Sequence, residues 1–189
     1  MQIDEQNIAR RIAKGDQQAS RALYDLTVGR MASVCGRYVP NPEDVRDVLQ
    51  EAYIEVFSRI GSFKYRGEGS LTAWMARVVA NKAVDFLRQK TRADEFVVMD
   101  ELPDVPDASS DDDVDIRGVP IDVVYEMIRQ LPAGYRTVFN LFVFEHLSHR
   151  EIAQQLGIRE NSSASQFHRA KTLLAERILQ YKHNHKTTL

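Results

Sequence analysis

Residues 94–116, DEFVVMDELPDVPDASSDDDVDI, hold ten Asp or Glu and not one Lys or Arg. Two prolines, a Ser-Ser pair and self-repelling charge accompany them, and no apolar period continues past Phe96-Val97-Val98-Met99. Such a stretch cannot bury enough apolar surface to offset the entropy of ordering it. It therefore divides the chain, and residues 94–118 read as a flexible acidic linker between two folded parts. The net charge of -2 conceals this arrangement. Residues 1–93 carry fifteen Lys or Arg against eleven acids, and residues 117–189 carry ten against six. Two mildly basic segments flank the acidic one, and a chain that is 43% hydrophobic has enough apolar matter for a core in each.

Both flanks carry helical punctuation. Asn41-Pro42-Glu43-Asp44 opens a helix with an Asn cap, a proline at the first position and acids in the first turn. Val45, Val48, Leu49, Ala52, Val56 and Ile60 follow at helical spacing until Gly61. An earlier helix starts near Asp16 and is expected to bury Leu23, Leu26, Met31 and Val34. After the loop with Gly67 and Gly69, another runs from Ser70 to about Arg92. Two more, 120–131 and 133–145, each open on proline. Ser148-His149-Arg150-Glu151 has the capping-box pattern. A short helix to Leu156, a turn at Gly157 and a longer helix from about Ser162 follow. No segment sustains a period of two, so the expected class is all-α. The expected domains are 1–93 and 119–182, each a small helical bundle, with a fraying tail at 183–189.

Three patterns point to function. In LSHREIAQQLGIRENSSASQFHRAKTLLAERI, residues 147–178, small Ala153 stands where two helices would cross and Gly157 tolerates positive φ in the turn. Ile152, Leu156, Ile158, Phe167 and Leu174 would form the shared core of either a plain helical hairpin or a helix-turn-helix, and His168, Arg169 and Lys171 on the second helix favour the latter, a DNA-docking motif. In the helix after Asn41, Asp44, Asp47, Glu51 and Glu55 make one acidic stripe, either a solvated surface or a docking face for a basic partner. In the helix from Ser70, Trp74, Arg77, Asn81, Arg88 and Arg92 lie along one side, flanked by Lys82 and Lys90. Aromatics beside cations suit a single nucleic-acid strand, since every base has a stackable face and every nucleotide a phosphate; the other reading is that Trp74 is core and RQKTR an ordinary basic helix end that favours the dipole.

Other functions are excluded on simple grounds. No run approaches the ~18 apolar residues of a membrane span. The N-terminal MQIDEQNIARR lacks the apolar core of a signal peptide, so a cytoplasmic protein is expected. The single cysteine, Cys35, can form neither an internal disulfide nor a multi-cysteine zinc site, and reads as a small buried hydrophobe. His183 and His185 supply two of the usual four zinc ligands, which is too few. His146 and His149 straddle a helix cap and should not share a face. There is no phosphate-cradling loop of the P-loop type and no nucleophile–base pair. No catalytic residue, metal, cofactor or small-molecule substrate is expected, and the chain does not read as an enzyme.

PEDVRDVLQEAYIEVFSRIGSF, followed by SLTAWMARVVANKAVDFLRQKTR, resembles region two of bacterial RNA polymerase sigma factors of the extracytoplasmic-function (ECF) class. QLPAGYRTVFNLFVFEHLSHREIAQQLGI, followed by HRAK, resembles region four. The resemblance implies a dissociable initiation factor that binds polymerase core and helps melt a promoter. It implies that Asp44, Asp47, Gln50 and Glu51 face the coiled coil of the largest polymerase subunit. It places Trp74, Arg77, Asn81, Lys82 and Arg88 at the minus-ten element, with the loop around 64–70 pocketing a flipped base. The helix after Gly157 would read the minus-thirty-five element through Ser162, Ser165, Gln166, His168, Arg169 and Lys171. The polymerase flap region and an anti-sigma factor are further implied partners. Family linkers thread toward the RNA exit channel, where this acidic one would stand in for RNA. Many members carry a basic residue at the positions of Ala164 and Gln166 and an apolar one at Ser163, so fewer phosphate contacts are implied here. Two other readings are a DNA-binding regulator that uses only the helix-turn-helix, and a protein-binding module that never touches DNA. Neither needs the helix from Trp74 to Arg92.

Overall fold

The computed structural model describes residues 4–90 and 115–186, which fall into two compact units, the first ending at Leu87. Among the described residues every regular element is helical. The first unit contains α1 (Glu5–Ala13), α2 (Gln17–Gly36), α3 (Pro42–Arg59), a 3-10 turn (Ile60–Ser62) and, as far as Leu87, α4 (Ser70–Lys90). The second contains α5 (Ile121–Arg129), α6 (Ala133–Val143), α7 (His149–Leu156) and α8 (Glu160–Lys186).

Local chemistry accounts for the helix starts. Asp4, Asp16 and Asn41 each accept a backbone N–H of the helix that follows, from Asn7, Ala19 and Glu43 respectively. Arg11 and the Ala19 N–H both bind Asp16, and the Ala19 bond leads in holding its carboxyl below the usual range. The helix α1 is an element the sequence reading did not separate. Its signal is Asp4 followed by Ala9 and Ile12, both buried. At the other end of α3 the helix stops at Arg59, and Gly61 lies inside the 3-10 turn rather than closing the α-helix.

The first core joins Leu23 and Met31 of α2, Val48, Ala52 and Val56 of α3, and Leu71, Met75, Val79 and Val84 of α4. Leu26 was expected among them but is 47% exposed. The buried stripe of α2 instead passes through Thr27, whose hydroxyl donates to the Leu23 carbonyl at 2.6 Å. That leaves Thr27 to accept from the Tyr53 hydroxyl of α3 at 2.8 Å, so a polar pair is satisfied inside the core. Cys35 is fully buried, and burial pushes its thiol up to about 12.

A long-range polar tie positions α1. The buried Glu5 carboxylate accepts the Leu71 N–H at 3.0 Å, and the Thr72 N–H and hydroxyl at 3.3 and 3.1 Å. It thus satisfies free N–H groups at the start of α4 and places negative charge at the positive end of that helix.

In the second unit Met127, Ile128, Leu131, Tyr135, Ala170, Leu174 and Ile178 form one cluster. Two guanidinium groups finish α5. Buried Arg136 donates to the carbonyls of Arg129 and Leu131, both at 2.8 Å, and Arg177 donates to that of Met127 at 2.8 Å. Cations there satisfy the last carbonyls and oppose the negative helix end.

Of the acidic segment, residues 94–114 lie outside the described residues. Within 115–118, Asp115 accepts from Arg117 at 2.8 Å and from Lys182 of α8 at 3.2 Å, and these bonds hold its carboxyl well below the usual range. At the far end α8 continues to Lys186, into the stretch expected as a tail. His185 stacks on Tyr181 at 3.9 Å and donates to its carbonyl at 2.8 Å, closing one more turn.

Candidate nucleic-acid and docking surfaces

On α3, Asp47, Gln50 and Glu51 are exposed and Asp44 is half-buried. The helix buries Val48, Leu49, Ala52, Tyr53 and Val56 on the other side. Glu55, expected to extend the acidic stripe, turns aside: its carboxylate binds Arg59 at 2.6 Å and Lys82 of α4 at 3.1 Å. Partial burial raises its pKa, but these two bonds outweigh it and leave the group below the ordinary value. The next outward position is held by Ile54, 64% exposed. It lies seven residues after Asp47 and three after Glu51, so an apolar side chain continues the acidic line. The sequence reading missed it. The available signal was an isoleucine off the buried stripe.

On α4, Arg77, Asn81 and Arg88 are exposed along one side, and Trp74 is half-buried. The Trp74 ring lies 5.7 Å from that of Phe63, so the loop before α4 contributes to the same surface. Lys82 departs from its expected place with the strand-facing residues. Its ammonium is paired with Glu55, where it braces α3 against α4.

The helix-turn-helix forms as its residues dictate. The Ser148 hydroxyl oxygen accepts the Glu151 N–H, and Glu151 accepts the Ser148 N–H at 2.8 Å. Gly157 takes φ 71, a left-handed value that only glycine adopts without a Cβ penalty, and its N–H returns to the Ala153 carbonyl. The second helix begins at Glu160, two residues before the expected start at Ser162.

Asn161, Ala164 and Ser165 are exposed, and His168, Arg169 and Lys171 are half-exposed. Arg169 also reaches the Tyr135 hydroxyl at 3.4 Å. Ser162 and Gln166, expected as base readers, are only 7% and 3% exposed and belong to the interior. They lie on the same side of α8 as buried Ser163 and Ala170, the side that packs on the rest of the unit. Asn161 and exposed Arg159 take their place at the tip of the helix, and the reading from sequence passed over both. The three-residue turn Gly157–Arg159 was their signal, because it fixes the helical phase.

Gln166 carries a cost. Its side-chain carbonyl oxygen is buried with no hydrogen-bond partner. Replacing it by methionine keeps the volume and removes the orphan acceptor. Gln166→Met is expected to raise the stability of the second unit by about 1 kcal/mol and leave duplex DNA binding unchanged. A thermal melt and a duplex binding titration check both halves.

His149, the first residue of α7, stacks on Phe142 at 4.7 Å, and its Nδ1 lies 3.0 Å from the Ser163 hydroxyl. That bond accounts for a serine at a buried position of α8. Burial lowers the His149 pKa, opposed by the charge of Glu160. A folded pKa below the unfolded one means that the unfolded chain takes up the proton first as pH falls. Stability is full above the ordinary value of 6.5 and is lost as pH drops through it toward the folded pKa. Melting of wild type and His149→Phe between pH 7.5 and 5.5 tests this, and the variant is expected to give the flatter profile.

Among the described residues there is no cluster of three or more metal-ligating side chains and no helix long and apolar enough to cross a membrane. Comparison with known proteins gives a consistent result. The family description of sigma-70 region 2 matches residues 23–93, and that of sigma-70 region 4 matches residues 121–174. The ECF RNA polymerase sigma-E factors of Haemophilus influenzae and Escherichia coli are each 26% identical to this chain over 185 residues. The match covers 94% of this chain and 96% and 95% of the two relatives. A solved structure of CnrH in complex with the cytosolic domain of CnrY is similar with a TM-score of 0.49 and 20% identity, over 92% of this chain and 96% of that one.

Proposed function

The chain belongs to the sigma-70 family as a sigma factor of the ECF class directing transcription initiation, and we propose that it does so by binding RNA polymerase core and melting the promoter it selects. The observation that carries this reading is the pair of outward faces on α3 and α4. The α3 face presents Asp47, Gln50 and Glu51 with Ile54 in line, and the α4 face presents Arg77, Asn81 and Arg88 beside Trp74. An acidic face that runs on into an apolar side chain suits a basic helical partner, here the coiled coil of the largest subunit. An anti-sigma factor would compete for that same face. On the second unit α5 exposes Ile121 and Tyr125 one turn apart, a small apolar surface for the polymerase flap.

Promoter opening follows from binding alone. Duplex and open DNA are in equilibrium, and a surface that holds only unpaired bases shifts it toward the open form. Trp74 supplies stacking, Asn81 a hydrogen-bonding edge, and Arg77 and Arg88 phosphate neutralisation. The tip of α8 docks in the major groove of the intact upstream element through Asn161, Ser165, His168 and Arg169, with Lys171 toward the backbone.

Run-off transcription with core polymerase and a set of genomic promoters tests the proposal. A promoter-dependent transcript that requires this chain is expected. Asn81→Ala should reduce it on duplex promoters while leaving binding to the upstream duplex element intact. A chain that binds the upstream duplex but never supports a transcript would overturn the reading.

A further inference from the structure

The outward face of α8 differs in chemistry from that of α4, which presents Arg77 and Arg88. The buried positions Ser162, Ser163, Gln166 and Ala170 fix which side of α8 packs inward. Asn161, Ala164 and Ser165 stand exposed on the other side, and His168, three residues further along, is half-exposed. Positions i, i+3, i+4 and i+7 make one stripe along a helix, so these four share a face. The stripe offers an amide, a methyl, a hydroxyl and an imidazole, with no Lys or Arg among them. The first position of the helix is Glu160, an acid at the positive end where a helix can otherwise hold a phosphate. Arg169, beside the stripe, has its guanidinium 3.4 Å from the Tyr135 hydroxyl. Such a face is built to meet base edges more than phosphates.

Ala164 stands at the centre of that stripe. Its side chain is a single methyl, so the helix can approach the floor of a groove more closely than a long side chain at the same place would allow. Among the groups that base pairs present in the major groove, the apolar one is the C5-methyl of thymine. Against it, the Ala164 methyl removes apolar surface from water on both sides. Against a guanine, cytosine or adenine edge, the same methyl would cover a polar atom and leave it without a partner. Asn161 lies three residues earlier on the same face, and an asparagine amide pairs with adenine at N6 and N7. We infer that Ala164 is a specificity-determining residue of this chain, reading the methyl of one thymine in the upstream duplex element beside an adenine bonded by Asn161. The inference rests on the reading of α8 as docked in the major groove.

The test uses the full chain with core polymerase and duplex fragments of a promoter that yields a transcript with this chain. Each thymine of the upstream element, on either strand, is replaced in turn by uracil, which removes the methyl and keeps the base pair. Ala164→Gly removes the partner methyl from the protein. Ala164→Gln puts a polar amide in its place at an exposed position, and glutamine is a good helix former. It carries the test should a melting curve show Ala164→Gly unfolded. Asn161→Ala and Arg169→Ala report separately on the docking of α8.

With wild type, uracil at one thymine should lower affinity about fourfold, the worth of one buried methyl group. Ala164→Gly and Ala164→Gln should bind the unmodified element more weakly by a similar factor and should not distinguish thymine from uracil at that position. Asn161→Ala should keep the thymine preference and lose the preference for the neighbouring adenine. If the Ala164 variants keep the wild-type preference for thymine, the methyl acts through the shape of the DNA and the inference falls. If no thymine responds to loss of its methyl while Asn161→Ala or Arg169→Ala weakens binding, Ala164 reads no thymine and the docking of α8 stands. If those two variants also bind like wild type, both fall.

Discussion

Reversing Asp47 and Glu51 to Lys should lower the affinity of the chain for core polymerase by about two orders of magnitude, while its far-ultraviolet circular dichroism stays the same. Both side chains are exposed on α3, so no core contact is lost. Docked against a basic coiled coil, each reversal replaces an attraction by a repulsion, and close interfacial charge pairs couple by about 1.5 kcal/mol or more. Two such changes give roughly 3 kcal/mol, a factor of about a hundred. The loss should shrink as salt screens the field. Titrating labelled core with wild type and the double variant at low and moderate salt measures it, and equal affinities would remove α3 from the polymerase interface. Glu55→Lys should behave differently, since Glu55 is tied to Arg59 and Lys82 inside the unit. It should lower the melting temperature first.

The second large effect concerns a residue that no motif points to. Glu5→Ala removes a carboxylate that accepts three hydrogen bonds from Leu71 and Thr72. It also leaves the Leu71 N–H buried without a partner. Hydrogen bonds to a charged group contribute about 1.5–3 kcal/mol each, so a loss of about 3 kcal/mol is conservative. For a unit of this size each kcal/mol moves the midpoint by about 4–8 °C, so the first unit should melt roughly 12–24 °C lower. Glu5→Gln keeps a carbonyl acceptor and should recover part of the loss. Capture of bubble DNA should fall in Glu5→Ala, because α1 and the start of α4 lose their common anchor. Differential scanning calorimetry of the three proteins decides it, and an unshifted first transition in Glu5→Ala would show that the carboxylate does not secure α4.

Much of the site was readable from residues alone because its determinants are local. A cap needs a side chain two or three positions from the N–H it serves, as at Asp16, Asn41 and Ser148. A left-handed turn needs glycine, as at Gly157. The spacing of Asp47, Glu51, Arg77 and Asn81 put each on one side of its helix, and they stand exposed. The differences arose where the facing of a residue is set by packing rather than by its neighbours in the chain. Ser162 and Gln166 entered as base readers through the resemblance, whereas the packing of α8 turns them inward to 7% and 3% exposure and leaves Asn161 at the surface. Periodicity gives the pitch of a helix, and only packing fixes its rotation.

The sequence by itself determined that this chain is helical, that a run without cations parts it into two folded pieces, and that each piece carries a face suited to charged partners. Those properties follow from composition, caps and spacing, all set within a few residues of one another. Tertiary structure alone decided that Lys82 is paired with Glu55, that His149 meets Ser163, and that Glu5 secures a helix 66 residues further on. In each case the partners are distant in the chain, and no local preference specifies which side chain meets which until the cores of the two units bring the helices together.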